Sequence, residues 1–274
     1  MKNLITKTLF IIILIANNLT AQMVGNLTNG LVAYYPLHSD INDYSGNGND
    51  LVSSSGNTSF VSNSLSIGEN DYLYSKNNLG IYGDQSRTIS LWFKPNSTPA
   101  TSNGGCLASW GVGNKFWGDS TLTYSSLWLQ DNTPAFGYVV SGSWEGVSAS
   151  SFDNIWTNIT YVYESDPYTS KFYVNGIYNA NLIGIGPIYP NTVDTQLILN
   201  ARTTSTSSGD PLPDTASGSG INGNYQNVLI YNRALTSSEV AQLVPEPSAL
   251  SLLAVGLGVL FRRSRKRDKG ARLR

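Results

Sequence analysis

Short segments rich in β-branched and aromatic residues recur along the chain, and turn-forming residues bound them. The clearest, residues 88–94, alternates strictly and stops at Pro95-Asn96. Similar segments follow at 127–129, 136–140, 156–163, 171–174, 196–199 and 227–231. Many short strands separated by turn signals are typical of antiparallel sheets. The sequence therefore predicts an all-β fold, either a sandwich or a jelly roll.

Two local signals add detail to this pattern. Asn175-Gly176 stands between two strand-like segments, and it predicts a hairpin because these residue types accept the positive φ angles of a type I′ turn. Thr236 and Glu239 have the spacing of a capping box, which predicts one short helix over residues 237–243. No segment before the C-terminal tail has sustained helical periodicity.

The N-terminal 21 residues have the composition of a secretory signal peptide. Lys2 and Lys7 precede or flank the apolar residues 9–16, and the segment ends on the small residues Thr20-Ala21. We expect cleavage after Ala21, so residues 1–21 are excluded from the fold. A retained signal anchor is the less favoured alternative, because the apolar stretch is short.

The C-terminal tail combines a hinge, an apolar run and a basic end. Pro245-Glu246-Pro247 precede the apolar residues 248–261, and Arg262-Arg263 open a basic tail that extends to residue 274. Basic residues beside a membrane span stay on the cytoplasmic side, so the preceding domain should lie outside. Fourteen helical residues reach only ~21 Å, against a hydrocarbon core of ~30 Å. We therefore expect a transmembrane segment over about 248–261 that holds the chain only transiently.

The charges are divided unevenly between the tail and the rest of the chain. The whole chain has 17 Lys and Arg against 18 Asp and Glu. Two of these bases precede residue 22 and eight follow residue 261, which leaves seven bases against 17 acids in residues 22–247, a net charge of −10. An acidic surface argues against nucleic acid and against anionic lipid as partners of this region, since either needs a basic face.

Single residues limit the chemistry that the chain can support. Cys106 is the only cysteine, so no intrachain disulfide can form, and its apolar surroundings predict a small core residue. His38 is the only histidine, which excludes a zinc centre with several histidine ligands.

The tail resembles a PEP-CTERM sorting signal, the kind recognised by exosortases. The resemblance is carried by Pro245, Glu246 and Pro247, the apolar run and the arginine-rich end that begins at Arg262 and Arg263. It implies that a membrane transpeptidase cuts near the Pro-Glu-Pro and passes the domain to the cell surface or to an extracellular polymer matrix of a bacterium. An ordinary single-span anchor with a stop-transfer end is the alternative. We take residues 244–274 as the signal.

The region before the tail resembles a laminin-G-like, or concanavalin A-like, jelly-roll domain. Residues 30–37 and 42–49 are similar to the opening of that family, and residues 227–236 with Glu239-Val240 are similar to its closing strand and helix. Segments 156–163 and 172–176 match the middle of the pattern. The resemblance implies two antiparallel sheets, one of them concave, with the chain ends paired. We take residues 22–243 as this domain.

The resemblance also implies a possible structural calcium site. In this family a calcium ion often bridges the N-terminal Asp-x-Ser-Gly turn and the start of the closing strand. The matching residues are Asp43 and Asn47 in the turn and Asn227 on the strand. Asn227 is neutral where the family has acidic residues, which would weaken binding. The alternative is an Asx-turn in which Asp43 hydrogen-bonds its own backbone.

Glycan binding is the function that the resemblance favours. Lectin-like jelly rolls stack an exposed aromatic ring on a sugar, and the candidates for such a ring are Trp110, Trp117 and Trp144, which we expect in loops. For any one of them, packing beneath a loop is the favoured interpretation, and sugar stacking is the alternative.

An enzyme is the rival class, since glycosidases also use this architecture. Retaining glycosidases need two carboxylates ~5 Å apart. Glu164 and Asp166 are the nearest alternating pair, and they precede Pro167 in an expected hairpin tip. We therefore expect a non-enzymatic, exported protein that binds carbohydrate or serves in adhesion or in the matrix, with a polysaccharide-active enzyme as the alternative.

Overall fold

The structure is a computed structural model, and it describes residues 27–54, 58–96, 105–112, 123–130, 135–140, 143–148, 154–180, 182–184, 190–205, 211–214 and 220–244. The predicted signal peptide, the Pro-Glu-Pro hinge, the apolar run and the basic tail lie outside these residues. The proposed boundaries at residues 21 and 243 therefore stay predictions.

Two antiparallel eight-stranded sheets form the domain, which confirms the predicted all-β sandwich of the jelly-roll type. The first sheet has the order β13-β12-β11-β6-β18-β4-β3, with β1 also paired to β18. Its strands are β1 (Leu31–Tyr35), β3 (Ser59–Phe60), β4 (Leu65–Ile67), β6 (Arg87–Pro95), β11 (Thr157–Glu164), β12 (Thr169–Val174), β13 (Ile177–Asn179) and β18 (Gly223–Tyr231).

The second sheet has the order β14-β10-β9-β8-β7-β15-β5-β2. Its strands are β2 (Leu51–Ser53), β5 (Leu73–Asn78), β7 (Gly105–Val112), β8 (Thr123–Gln130), β9 (Ala135–Val140), β10 (Ser143–Ser148), β14 (Leu182–Gly184) and β15 (Gln196–Leu199). A separate pair, β16 (Arg202–Ser205) with β17 (Pro211–Asp214), packs against β7.

The core lies between the two sheets. Alternation along each strand sends one set of apolar side chains inward. Leu91 and Phe93 of β6, Leu127 and Leu129 of β8, and Tyr225 of β18 are buried in one continuous cluster. Phe93 and Tyr225 pack ring to ring with their centroids 4.7 Å apart. Tight packing between the sheets supplies the stability of a domain that has no disulfide.

The predicted hairpin and helix are both confirmed. Asn175 and Gly176 join β12 to β13 with φ angles of +50° and +76°. The helix, α1, runs over Ser237–Gln242. Both halves of its capping box form: Glu239 N donates to Thr236 Oγ1, and Thr236 N donates to a Glu239 carboxylate oxygen.

Helix α1 covers part of the outer face of the first sheet. Leu235 and Val240 pack with Val162, Tyr173 and Tyr231 in a second apolar cluster. The Tyr173 and Ser237 hydroxyls lie 2.9 Å apart. The closing strand and the helix are thus one packed unit, which places the chain's exit point at the end of α1.

Candidate functional site

The two ends of the domain meet where the sequence predicted a calcium site. Strand β1 pairs with β18, so Tyr34 lies opposite Leu229 and close to Asn227. The Tyr34 hydroxyl donates to Asn227 Oδ1 at 3.2 Å. Asn227 has a φ of +46° and lies at an irregularity in the β18–β6 pairing, between Gln226 and Leu229. The structure thus brings the predicted turn and the closing strand together, as the resemblance implies.

The Asp43 carboxylate is enclosed by hydrogen-bond donors. Its Oδ1 accepts from the backbone N–H of Tyr34 at 3.0 Å and of Ser45 at 2.9 Å. Its Oδ2 accepts from the Ser45 hydroxyl at 2.8 Å and from the backbone N–H of Asn49 at 2.9 Å. A carboxylate has about four lone-pair sites, and all of them are used here. The hydrogen bond from the Ser45 backbone N–H to Asp43 Oδ1 forms the Asx-turn, which the sequence offered as the alternative to a calcium site.

The neighbouring amides are also engaged. Asn47 Nδ2 donates to the carbonyls of Leu31 and Val32, each at 3.0 Å. Asp50 accepts from the Asp43 amide at 3.0 Å and pairs with Lys76 at 2.9 Å. These two donors hold the pKa of Asp50 below its usual value, with the Asp43 amide as the largest cause.

Asp43, Asn47 and Asn227 do not fit a calcium ion as they are placed. Calcium takes six to eight oxygen ligands. Here the carboxylate and the Asn227 oxygen already accept protein donors, and Asn47 turns its N–H group toward the carbonyls. Across the described residues, no three His, Cys, Asp or Glu side chains are grouped as metal ligands. Tyr34, Asp43, Ser45 and Asn227 form a hydrogen-bonded group that joins the first strand of the domain to the last, and we call this group the staple.

The structure excludes Trp110 as an exposed sugar platform, and it places this residue in a strand and not in the expected loop. Trp110 lies within strand β7 and is fully buried in the core. Strand alternation sends it inward while Ser109 faces outward. The guanidinium of buried Arg87 lies 5.8 Å from its ring centroid, and the packing interpretation therefore holds.

The other two tryptophans that were candidates for sugar stacking are Trp117 and Trp144. Trp117 lies outside the described residues. Trp144 lies in strand β10 and not in the expected loop, opposite Val139 of β9. Val139 in turn pairs with Ser126 of β8, two residues before Trp128.

Trp128 lies between the core residues Leu127 and Leu129 of β8, so it is on the outer face of the second sheet, and its sequence segment predicted only a strand. It pairs with Gly137, which pairs with Gly146, so two residues without side chains lie beside it. Its indole N–H donates to Ser126 Oγ at 2.6 Å, and its side chain is nearly buried, with 9% of the residue exposed. The fixed, nearly buried ring is less suited to stacking than an exposed one.

A polar cavity opens between the edges of the two sheets. Its volume is about 190 Å³. The floor is apolar, from Leu65, Ile67 and Leu73. The wall carries hydroxyl groups, a phenol ring and a carboxylate, contributed by Ser53, Thr58, Ser59, Ser66, Asp71 and Tyr72. We call this the edge cavity.

The edge cavity is assembled from four short strands and the segments beside them. Ser53 of β2 pairs with Leu73 of β5, and Ser59 of β3 pairs with Ser66 of β4. The Tyr72 ring packs against Tyr74 with the centroids 6.3 Å apart. Sequence reasoning missed this cavity, because its residues belong to two different sheets and share no local motif.

The positions of the two candidate carboxylates for catalysis are also fixed. Glu164 ends strand β11, and its Oε2 lies 3.3 Å from Lys171 Nζ. Asp166 follows in the exposed turn before β12, as the sequence predicted. The sole histidine, His38, is exposed between β1 and β2.

The described part of the chain contains no helix long and apolar enough to cross a bilayer.

Two family models match the sequence. That of the concanavalin A-like lectin/glucanases superfamily matches residues 67–241, and that of the PEP-CTERM protein-sorting motif matches residues 243–266. The second match includes Pro245, Glu246, Pro247, Arg262 and Arg263. No curated protein sequence matches this chain.

Several solved structures share the fold. Domain 4 of a GH43 extracellular arabinanase from Geobacillus stearothermophilus, in complex with arabinotriose, is similar with a TM-score of 0.54 and 17% identity, over 78% of this chain and 98% of that one. The binding domain of Paraclostridial Mosquitocidal Protein 1 has a TM-score of 0.56 and 18% identity, over 80% of this chain and 52% of that one.

A structure of botulinum neurotoxin type C, described as dependent on two ganglioside molecules to enter cells, has a TM-score of 0.55 and 16% identity, over 81% and 52%. The present chain thus spans about half the length of the two toxin chains, and it spans nearly all of the arabinanase domain.

Proposed function

Because this chain belongs to the concanavalin A-like lectin/glucanases superfamily and carries a PEP-CTERM protein-sorting motif, we propose that it is an exported carbohydrate-binding protein of a bacterial cell surface or extracellular matrix. An exosortase-type enzyme would recognise Pro245-Glu246-Pro247 and release the domain from residues 248–261, which hold it at the membrane until then.

The edge cavity is the observation that carries the glycan proposal. Sugar recognition needs hydrogen-bonding groups for hydroxyls and an apolar surface for the ring face. Four hydroxyl side chains and Asp71 supply the first, and Tyr72 with the apolar floor supplies the second. The cavity's volume of about 190 Å³ is below the ~300–1,000 Å³ of typical small-molecule pockets, so it suits a single sugar residue better than a longer glycan. A single sugar residue, at the end or side of a glycan, is the ligand of matching size.

The Asp71 side chain is suited to this role. It is exposed, and its backbone is held by two contacts: Asp71 N donates to Gly68 O at 3.1 Å, and Asn200 Nδ2 donates to Asp71 O at 3.0 Å. Gly68 leaves room for the carboxylate, since a Cβ there would lie 3.1 Å from Asp71 Oδ2. An exposed carboxylate on a backbone held in this way can accept hydrogen bonds from two adjacent sugar hydroxyls.

The similar structures support the ligand class. The arabinanase domain, nearly all of which this chain matches, was determined with arabinotriose, so a glycan ligand occurs on this fold. The botulinum neurotoxin is described with gangliosides, and this chain matches 52% of that chain. The sequence identities of these structures to this chain are low, so they do not indicate which sugar this chain binds.

A glycan array probed with the full chain tests the proposal. The chain should be solubilised in a phosphocholine detergent, because maltoside head groups would compete for a sugar site. Saturable binding that Asp71→Asn and Tyr72→Ala both weaken supports the edge cavity as the site. Asp84→Asn and Tyr82→Ala are matched controls, since both residues are exposed elsewhere.

Three results would contradict the proposal in different ways. Failure to bind any glycan removes the carbohydrate-binding function. Binding that both cavity variants retain moves the site elsewhere, for which the outer face carrying Trp128 is the next candidate. Release of reducing ends from a bound polysaccharide supports the enzyme alternative, and loss of that activity in Glu164→Gln would identify a catalytic carboxylate.

A further inference from the structure

The end of helix α1 lies against the turn between β12 and β13. A Cβ on Gly176 would lie 3.3 Å from Val244 Cγ2 and 3.5 Å from Ala241 Cα. Val244 is the last residue before Pro245-Glu246-Pro247. The tail therefore leaves the domain directly beside Gly176, and the position of this exit is fixed by packing.

The strand next to the exit exposes apolar side chains. Ile177 is 74% exposed and Tyr178 is 49% exposed, although Tyr178 also touches the Tyr173 ring at 5.6 Å. Strand β13 is at the end of the first sheet's strand order, and β14, the next strand along the chain, is at the end of the second sheet's order. The two strands thus follow one side of the sandwich.

This side is also unusual in charge. Strands β13 and β14 contain no Asp, Glu, Lys, Arg or His, in a domain whose other segments give residues 22–247 a net charge of −10. An acidic surface is repelled by anionic lipid head groups, and the repulsion acts over a Debye length of about 8 Å at physiological salt. An uncharged edge can approach such a surface without that cost.

The short hinge keeps this edge close to the apolar run. Three residues separate Val244 from Ser248, so four steps of about 3.8 Å limit the span to roughly 15 Å. The head-group layer on each side of a bilayer is itself about 5–8 Å thick. Once residues 248–261 enter the membrane, the β12–β13 turn must lie at or just above the head groups.

We propose that the β12–β13 turn with Ile177 and Tyr178 is the surface by which the domain rests on the lipid bilayer before it is released. Tyrosine is favoured at membrane–water interfaces, because its ring is apolar and its hydroxyl stays hydrated. The exposed Ile177 adds apolar area that the head-group region can bury. This inference rests on the membrane insertion of residues 248–261 proposed above.

Environment-sensitive labelling of the full chain tests the contact. The Ile177→Cys variant would carry a nitrobenzoxadiazole label in vesicles of phosphatidylethanolamine and phosphatidylglycerol at a ratio of about 3:1, an anionic surface of the kind the argument assumes. The native Cys106 is fully buried, so the label attaches at position 177. Val61→Cys is the matched control: Val61 is 53% exposed and follows β3, at the opposite end of the same sheet.

We expect emission from position 177 to shift to shorter wavelength and to be quenched by nitroxide-labelled lipids, while position 61 shows neither effect. A second variant, Ile177→Asp, should leave vesicle flotation intact and remove the protection of residues 172–178 from hydrogen exchange on vesicle binding.

The outcomes separate this inference from the one it rests on. Co-flotation with a fully hydrated label at position 177 overturns the docking surface and leaves the membrane anchor intact. Equal quenching at positions 61 and 177 overturns it as well, because the contact is then not specific to this edge. Loss of co-flotation in the full chain overturns both insertion and docking.

Discussion

The Tyr34 hydroxyl lies 3.2 Å from Oδ1 of Asn227, and this hydrogen bond ties the first strand of the domain to the last. The same tyrosine donates its backbone N–H to Asp43, so three distant parts of the chain meet at one residue. Closure of the domain at this point depends on hydrogen bonds that the protein supplies itself.

The staple at Asp43 predicts stability that does not depend on calcium. Asp43→Asn replaces one accepting oxygen by an N–H₂ group that faces two donors, so we expect a loss of about 1–3 kcal/mol in the free energy of unfolding. Urea denaturation with calcium or with EDTA measures it. Asp84→Asn is the control, because Asp84 is exposed. A calcium-induced rise in the wild-type midpoint that Asp43→Asn abolishes would contradict this and restore the metal site.

The strands, the hairpin and the helix could be predicted because their signals are local. Asn175-Gly176 fixes its turn through its own φ preference, and Thr236 with Glu239 caps a helix within four residues. The meeting of Asp43 with Asn227 could be predicted only through family resemblance, since nothing local relates residues so far apart in the chain.

The face of a strand and the shape of a cavity are not local properties. Trp110 was expected in a loop, but it lies in the central strand β7, which is covered on both sides. The core lies on one side. On the other side β16 packs against β7, and Ser109 Oγ donates to Ala201 O at 2.7 Å. A strand buried on both faces loses its polar alternation, and its pattern no longer shows which face is inside.

Removal of one edge-cavity group should weaken glycan binding without unfolding the protein. Asp71 is exposed and Tyr72 is partly exposed, so neither variant creates a large core cavity. A hydrogen bond to a charged group contributes about 1.5–3 kcal/mol, so Asp71→Asn should raise the Kd by roughly 10- to 100-fold. Titration calorimetry with the best array glycan measures the change. An unchanged Kd in Asp71→Asn excludes the carboxylate from recognition.

Arg87 should be among the most sensitive core positions. It is fully buried and donates to Gln85 O at 2.8 Å, to Thr192 Oγ1 at 2.8 Å and to Gly83 O at 2.7 Å, between the rings of Trp110 and Tyr163. Lysine keeps the charge but cannot reproduce this planar fork of donors. We expect Arg87→Lys to cost about 3 kcal/mol or more.

Chemical denaturation measures the cost of Arg87→Lys. The surface control Lys76→Met removes a base outright, and it should still cost less than about 1 kcal/mol because the ion pair with Asp50 is exposed. Equal costs for the two variants would show that burial of the guanidinium is not what matters.

The Cys106 thiol should be inert in the folded protein. It is fully buried, and burial raises its pKa to about 12, so almost none is thiolate at neutral pH. We expect no reaction with Ellman's reagent at pH 8 under native conditions and stoichiometric reaction in denaturant. The exposed thiol of Val61→Cys is the positive control, and rapid native labelling of Cys106 would contradict its placement in β7.

Stability should fall in acid as Glu239 becomes protonated. Arg233 donates to its carboxylate at 2.7 and 3.0 Å, and the Thr236 amide adds a third donor. These contacts, with Arg233 as the largest cause, lower the pKa of Glu239 from 4.5 to about 2. A lowered pKa in the folded state gives stability that is present above pH 4.5 and is lost as the pH falls toward 2. The loss removes charge-assisted bonds of roughly 1–3 kcal/mol.

Urea midpoints between pH 6 and about 2 measure this loss of stability. The midpoint of Glu239→Gln should start lower and fall less steeply across this range than that of Glu69→Gln, the exposed control. Parallel acid profiles for the two variants would show that the bond between strand β18 and helix α1 does not depend on the Glu239 charge.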